Sequence, residues 1–151
     1  MTEEQRLEMF PSVLRAAQRV SVVVRSAAGI DRRGLHNTNI EALARALEGL
    51  APEEDAIALV DGFALPECTV EHRRVVGGDA TSAAIAAASV VAKVTRDRYM
   101  RRAAERHPGW GFEEHVGYST PEHREAIERI GISPLHRRSF QSVAYSQLEI
   151  A

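Results

Sequence analysis

GDATSAAIAAASVVAKVTRD, which spans residues 78–97, decides the fold of this chain because it joins a tight turn to a small-residue helix. The Gly77-Gly78 pair lets the backbone turn sharply, and the alanines that follow favour a helix that begins near residues 81–82. Asp79 then lies just ahead of the helix N-terminus. Its carboxylate either caps that helix or belongs to a functional site, and the local residues allow both interpretations.

A second carboxylate follows a short apolar run upstream of this turn. The run AIALV at residues 56–60 is typical of a buried strand, and Asp61 stands at its carboxyl end. Functional sites in open α/β sheets lie at the carboxyl ends of strands. Asp61 and Asp79 are therefore candidates for a paired-carboxylate site.

Lys93 is the only lysine of the chain, which has 18 arginines. It stands four residues before Asp97 on the predicted helix, where an exposed ion pair would contribute only about 0.3 kcal/mol. A single lysine among so many arginines also permits a compact ammonium that binds phosphate. Both interpretations stay open at this point.

The composition bounds the class of protein. A chain of 151 residues, 44% of them hydrophobic, is long enough for one domain with a core. The net charge of −2 gives no overall polycationic signal, so any contact with nucleic acid has to be local. Residues 93–138 carry ten Lys or Arg against seven Asp or Glu, which fits either such a surface or an ordinary solvated one.

The single cysteine and the apolar runs indicate the compartment. Cys68 excludes an intrachain disulfide, fits a reducing environment, and is expected to be a small hydrophobe that is at least half-buried. No apolar run approaches the ~20 residues that cross a bilayer, and the charged N-terminus does not resemble a signal peptide. We predict a cytoplasmic protein without membrane contact.

Helical and strand patterns alternate along the chain, which favours an α/β domain. Thr2 and Gln5 form a capping box for a first helix from Glu3, which Pro11 is expected to end or kink before residues 12–18 continue it. The remaining predicted elements are strands at 20–25 and 72–76 and helices at about 37–50 and 121–130, the last one stopped by Gly131.

Two loop segments contain further candidate binding residues. Tyr118 lies between small residues ahead of a helix, where its ring could either stack on a sugar or base or pack on the surface. The sequence HRRSF at 136–140 includes Arg137 and Arg138, a small basic cluster that is weak as a phosphate signal when taken alone.

Taken together, these motifs resemble the ribonuclease HII family, endonucleases that cut the RNA strand of RNA/DNA hybrids and nick DNA at embedded ribonucleotides. They come in the family's order and with family-like spacing. The matching motifs are LVDG (59–62), GD (78–79) with AAAS (86–89) and AKVTRD (92–97), PGWGF (108–112), HVGYST (115–120) and HRRSF (136–140).

The resemblance implies a fold, a cofactor and a substrate. It implies an α/β, ribonuclease H-like fold, with residues 1–106 as a truncated core and residues 107–151 as a C-terminal helix and loop segment that contacts substrate, in one continuous domain. The family's site holds two divalent metals, Mn²⁺ or Mg²⁺, on four acidic residues, and its partner is an RNA/DNA hybrid or a ribonucleotide-containing DNA duplex.

The same resemblance gives roles to individual residues. Asp61 and Asp79 match the third and fourth family acids, which are both catalytic residues and metal ligands. Tyr118 matches the tyrosine that stacks at the junction between ribonucleotide and deoxynucleotide. Ser89 and Lys93 lie in the segment that flanks the site, and the Arg137-Arg138 cluster is expected to contact substrate.

The chain also departs from the family pattern. The family opens with a strand that ends in an Asp-Glu-Ala-Gly-Arg-Gly type motif, which supplies the first two acids, and no such motif occurs here. We therefore expect the first two strands of the mixed sheet to be missing, with weak metal binding, exposed strand edges that favour self-association, and marginal stability.

Two classes of function follow. One is an endonuclease of the ribonuclease HII family that is inactive as this chain alone. The other is a non-catalytic module that binds RNA/DNA hybrids through Tyr118, Lys93 and the Arg137-Arg138 cluster. An in-frame Asp-Glu-Ala-Gly-Arg-Gly codon run upstream of Met1 would favour the first class.

Overall fold

The computed structural model of the chain describes residues 1–140, so the last part of the predicted segment 107–151 lies outside the described residues. Helices and strands follow one another as the alternating patterns predict. The elements are α1 (Glu3–Ala16), α2 (Ala27–Arg33), α3 (Leu35–Leu50), β1 (Ala58–Asp61), β2 (His72–Val75), α4 (Gly78–Thr81), α5 (Ala83–Arg106), α6 (Phe112–His115) and α7 (Pro121–Ile130).

Packing divides the chain into two units. The first comprises Met1–Arg25 and Leu35–Val94, and the second comprises Ser26–Gly34 and the chain from Thr95 onward. The predicted division after residue 106 stays a prediction. Within residues 1–140, every helix is too short or too polar to cross a bilayer.

Helix α1 begins as the sequence predicts, runs through Pro11 and ends at Ala16, two residues before the expected end. The Thr2 side chain accepts from the backbone N–H of Gln5, whose side chain accepts from the backbone N–H of Thr2, so the capping box is confirmed. Pro11 lies inside the helix, which does not end there. Phe10 and Val13 on either side of the proline pack against the valines of α5, and this apolar contact offsets the lost backbone hydrogen bond.

The predicted strand at 20–25 is wrong, because none forms there. A strand needs a hydrogen-bonded neighbour, and in the described part of the chain β1 and β2 pair only with each other. The segment keeps the alternation of a strand, with Val20, Val22 and Val24 exposed by 47%, 47% and 67%. On its other face, Arg25 forms an ion pair with Glu41 of α3 at 3.3 Å.

The two strands of the first unit are parallel, with Ala58 opposite His72 and Asp61 opposite Val75. The backbone N–H of Gly62 donates to the carbonyl of Val75 at 2.8 Å, so the pairing continues just past the end of β1. Both strands were predicted from the sequence and are confirmed. Their parallel pairing places the carboxyl ends of β1 and β2 at the same edge, where Asp61 lies.

The turn after β2 differs in detail from the prediction. The helix begins at Gly78 rather than at residue 81 or 82, because Gly77 takes a left-handed conformation with φ of 64° and serves as its N-cap. This short helix α4 ends at Thr81, its C-cap Ser82 is extended, and α5 follows directly. Asp79 therefore lies within the first turn of α4 and not ahead of it.

The second unit is built around α6 and α7. Phe112, Val116 and Ile127 form part of its buried interior. Helix α7 has the predicted bounds, with Thr120 as N-cap, Pro121 in its first turn and Gly131 as C-cap. Helices α2 and α6 were not predicted, because each is short and its apolar pattern covers too few residues to show a helical period.

Candidate functional site

The carboxylate of Asp61 is tied to the turn that precedes α5. Asp61 is half-buried at the end of β1, and its Oδ1 accepts a hydrogen bond from the backbone N–H of Gly78 at 2.8 Å. A carboxylate that accepts from a backbone N–H makes a charge-assisted bond, roughly twice as strong as a neutral one. This bond brings Asp61 next to the residue that precedes Asp79.

Gly78 is closely packed against Ile85 and Asp61. A Cβ added there would lie 2.4 Å from Cδ1 of Ile85 and 3.2 Å from Oδ1 of Asp61. Gly78 is buried, whereas the neighbouring Asp79 is exposed to solvent. The turn therefore combines one carboxylate that is held in place with a second one that is open to a ligand.

Ser89 and Lys93 extend from this site along one side of α5. They follow Ile85 at intervals of four residues and so share its face of the helix. Ile85 contacts the Gly78 turn, and at 1.5 Å per residue Lys93 lies about 12 Å further along the helix axis. Ser89 is half-buried and Lys93 is exposed.

Asp61 and Asp79 are the kind of ligand that a divalent metal prefers, but two side chains are too few to hold one. Carboxylate oxygens are the ligands that Mg²⁺ and Mn²⁺ prefer. Across residues 1–140, no three His, Cys, Asp or Glu side chains are grouped so as to hold a metal ion. One oxygen of Asp61 is already engaged by Gly78. These two residues alone therefore do not form a complete metal centre.

In the second unit, the ring of Tyr118 is exposed to solvent and is contacted on one face by an arginine. It is 53% exposed, and the guanidinium carbon of Arg96 lies 4.7 Å from its centroid, a cation–π contact. Arg96 in turn donates to the carboxylate of Asp97 at 3.1 Å, and Asp97 is buried. One face of the ring is thus covered by the Arg96 guanidinium, and about half of Tyr118 is open to solvent.

The loop that carries Tyr118 is tied down at several backbone atoms. The carbonyl of Tyr118 accepts from the N–H of Thr120 at 2.9 Å, and that of Ser119 accepts from Arg124 at 3.1 Å. Gly117 has φ of 82°, and a Cβ there would lie 3.2 Å from Cε of Met100. These contacts hold the exposed ring on a rigid backbone.

The predicted Arg137-Arg138 cluster is held by a residue that the sequence did not single out. Asp31 of α2 accepts from the backbone N–H of Arg138 and of Ser139, both at 3.0 Å, and from the Ser139 hydroxyl at 2.6 Å. These bonds, with that of the Ser139 hydroxyl largest, lower the pKa of Asp31 below its ordinary value. The Arg137 guanidinium lies over the ring of Phe140 at 5.0 Å.

An open groove of about 410 Å³ in the second unit brings Tyr118 and Arg137 to one surface. Three arginines and two exposed aromatic rings line it, the combination that binds single-stranded nucleic acid through phosphate contact and base stacking. These five lining residues are Arg96, Tyr118, Arg124, Arg137 and Phe140.

A cluster of three buried histidines beneath this groove was missed by sequence reasoning. The rings of His115 and His123 stack at 4.1 Å, and Nε2 of His123 lies 2.9 Å from Nε2 of His136. Burial lowers the pKa of His123, and it lowers that of His136 to about 4. The sequence contained no signal for this cluster, since its members are 8 to 21 residues apart and share no ligand spacing.

A strand that ends in a carboxylate, followed by a glycine turn with a second carboxylate and a long helix, is consistent with an α/β protein of the ribonuclease H class. Residues 1–143 match the family model described as Ribonuclease HII. The chain belongs to the ribonuclease HII family.

Individual relatives agree with this assignment. Ribonuclease HII of Geobacillus kaustophilus (strain HTA426) is 46% identical over 143 residues, which are 95% of this chain and 54% of the relative. The enzyme of Rhodococcus erythropolis is 48% identical over 143 residues, 95% of this chain and 63% of the relative. That of Mycobacterium tuberculosis (strain H37Rv) is 48% identical over the same share of this chain and 54% of its own length. The chain thus spans 54 to 63% of these relatives.

Proposed function

We propose that this chain supplies part of the active site and of the substrate-binding surface of an endonuclease that acts on RNA/DNA hybrids. The proposed reactions are hydrolysis of the RNA strand of a hybrid and nicking of DNA at embedded ribonucleotides. Membership of the ribonuclease HII family supports this class of reaction. Within the chain, the observation that carries the proposal is the 2.8 Å bond between Asp61 and Gly78.

In this proposal, Asp61 and Asp79 are two of the carboxylates that hold a divalent metal pair, either Mn²⁺ or Mg²⁺. Such a pair stabilises the attacking and leaving oxygens of a phosphoryl transfer. Two carboxylates offset about half of the +4 charge of two metals, so their affinity for metal is expected to be weak. We therefore expect little turnover from the purified chain of 151 residues.

The substrate-binding residues of the proposal fall into two groups. Ser89 and Lys93 lie on the helix face that starts at the carboxylate turn, where a hydroxyl and an ammonium can contact the phosphate backbone. In the second unit, Tyr118 offers the uncovered face of its ring for stacking, and Arg137 and Arg138 offer positive charge. The phosphate contacts are expected to supply most of the affinity, whereas the Tyr118 ring is expected to recognise the junction between ribonucleotide and deoxynucleotide.

A cleavage assay tests the catalytic part of the proposal. The substrate is an end-labelled DNA duplex that contains one ribonucleotide, incubated with the purified chain in Mn²⁺. Little product is expected, and any product should disappear in the Asp61→Asn and Asp79→Asn variants. Robust turnover would contradict the expected inactivity, and turnover that survives both substitutions would contradict the proposed roles of the two carboxylates.

The groove of the second unit favours a second candidate, a non-catalytic module that binds RNA/DNA hybrids. That groove is lined by Tyr118, Arg96 and Arg137, which belong to the second unit, whereas the two carboxylates belong to the first. A binding assay on a duplex with an RNA–DNA junction tests it, with Tyr118→Ala as the variant. Tyr99→Ala is the matched control, since Tyr99 is 52% exposed and Tyr118 53%. Equal affinities of the two variants would count against the module.

A further inference from the structure

A chain of hydrogen bonds runs from a buried backbone N–H to the carbonyl of Tyr118. The N–H of Ser133 donates to Nδ1 of His136 at 2.9 Å, and Nε2 of His136 lies 2.9 Å from Nε2 of His123. Nδ1 of His123 then lies 2.8 Å from the carbonyl oxygen of Tyr118. His123 and His136 are only 6% and 7% exposed, so these bonds are largely shielded from solvent.

The two ends of this chain determine where each proton resides. The Ser133 N–H can only donate, so Nδ1 of His136 is the acceptor and the neutral ring carries its proton on Nε2. His136 therefore donates to Nε2 of His123, whose own proton must reside on Nδ1. That proton is donated to the Tyr118 carbonyl, which can only accept. A single pair of neutral tautomers satisfies all three bonds.

The surrounding groups favour this neutral state. His115 stacks on His123 but makes separate bonds, since its Nδ1 accepts from the N–H of Gly117 at 3.0 Å and its Nε2 lies 2.7 Å from the Trp110 carbonyl. Burial lowers the pKa of both His123 and His136, which keeps the two rings uncharged near neutral pH. Protonation of His123 would place two N–H groups against each other at the Nε2–Nε2 contact. Protonation of His136 would place its Nδ1–H against the Ser133 N–H.

We propose that His123 and His136 are positioning residues for Tyr118, which hold its backbone through an ordered chain of hydrogen bonds so that its exposed ring meets the substrate in one orientation. This inference rests on the proposed role of Tyr118 in binding the junction. The Tyr118 carbonyl has two partners, the Thr120 N–H and His123, so both of its lone pairs are occupied. Removal of the imidazole frees one of them.

Affinity measurements on matched duplexes test the proposal. Tyr118→Ala should weaken binding of a duplex with an RNA–DNA junction by about tenfold, in the range found for one stacked base. His123→Ala should weaken it by a similar factor, and the double variant by no more than about twofold further, since both changes act through the same ring. Neither substitution should change the affinity for an all-DNA duplex of the same sequence.

Conservative variants separate positioning from folding. His123→Asn places an amide N–H near the position of Nδ1, so it should restore most of the junction affinity that His123→Ala loses. His36→Asn serves as the control, since His36 is exposed and lies in the first unit. Equal losses on both duplexes, or no rescue by asparagine, would overturn the positioning role.

Ring nitrogen NMR tests the hydrogen-bond chain without substrate. Long-range ¹H–¹⁵N spectra should show the proton of His123 on Nδ1 and that of His136 on Nε2, and the opposite tautomers would overturn the inference. A Tyr118→Ala variant that binds the junction normally would overturn the role proposed for Tyr118 itself. If Tyr118→Ala weakens junction binding as expected but His123→Ala does not, only the positioning role would be overturned.

Discussion

The carboxylate of Asp61 accepts a hydrogen bond from the backbone N–H of Gly78 at 2.8 Å, and this contact joins the end of a strand to the turn that carries Asp79. It makes the conformation of the turn depend on a side chain in the strand. It also leaves the second oxygen of Asp61 available to a ligand. A Cβ at position 78 would lie 3.2 Å from the accepting Oδ1, so the contact is sensitive to a side chain at this position.

Gly78→Ala should destabilise the protein by about 1–3 kcal/mol, the usual cost of overpacking. The added methyl would lie 2.4 Å from Cδ1 of Ile85, an atom of a buried side chain. Urea unfolding measures the change. Ile85→Val removes the clashing methyl, so the double variant should recover part of the loss. A double variant as unstable as the sum of the two single ones would contradict this explanation.

Asp61→Asn and Asp61→Ala should separate the charge of the carboxylate from its hydrogen bond. Asparagine can still accept from Gly78, so its stability should stay close to that of the unmodified protein, whereas alanine should cost about 1 kcal/mol. Both variants should weaken Mn²⁺ binding, which a titration followed by electron paramagnetic resonance measures. Asp55→Asn, an exposed carboxylate in the turn before β1, is the control. Unchanged Mn²⁺ binding in the alanine variant would exclude Asp61 as a ligand.

Asp31→Ala should lower stability at neutral pH, with an effect that disappears in acid. Hydrogen bonds from Ser139 and Arg138 lower the folded pKa of Asp31 below 3.8. A carboxylate whose pKa is lower in the folded than in the unfolded state stabilises the protein at pH values above its unfolded pKa. This stabilisation is lost as the pH falls through the folded pKa. The free energies of unfolding of the two proteins should therefore converge below pH 3.8. If Ser139→Ala is already present, Asp31→Ala should cost less.

The pH dependence of stability should reflect the lowered pKa of His136 in the folded protein. Burial lowers its folded pKa from 6.5 to about 4, so between these values the unfolded chain binds more protons than the folded one. Stability should fall as the pH decreases from 6.5 toward 4, and His136→Gln should flatten that slope. Denaturant unfolding at several pH values measures it, with His36→Gln as the control for loss of an exposed imidazole. A slope that is unchanged in His136→Gln would contradict the burial of a neutral ring.

Elements whose ends have local signals could be predicted from the sequence. The capping box of Thr2 and Gln5 and the stop at Gly131 are both confirmed, because each depends on residues within one turn of the helix. The strand ending at Asp61 was recognisable from five consecutive residues. The strand predicted at 20–25 does not form, because a strand depends on a hydrogen-bonded neighbour elsewhere in the chain, which no local pattern specifies.

By itself the sequence determined the family, the place of Asp61 at the end of a strand and the place of Asp79 beside a glycine turn, because apolar runs and glycines act over a few residues. Only the tertiary structure decided what surrounds Tyr118 and the Arg137-Arg138 cluster. Asp31 binds residues 107 and 108 positions away, and His123 meets His136 across 13 positions. Such contacts arise from packing and desolvation in the folded chain, and no local pattern of residue types specifies them.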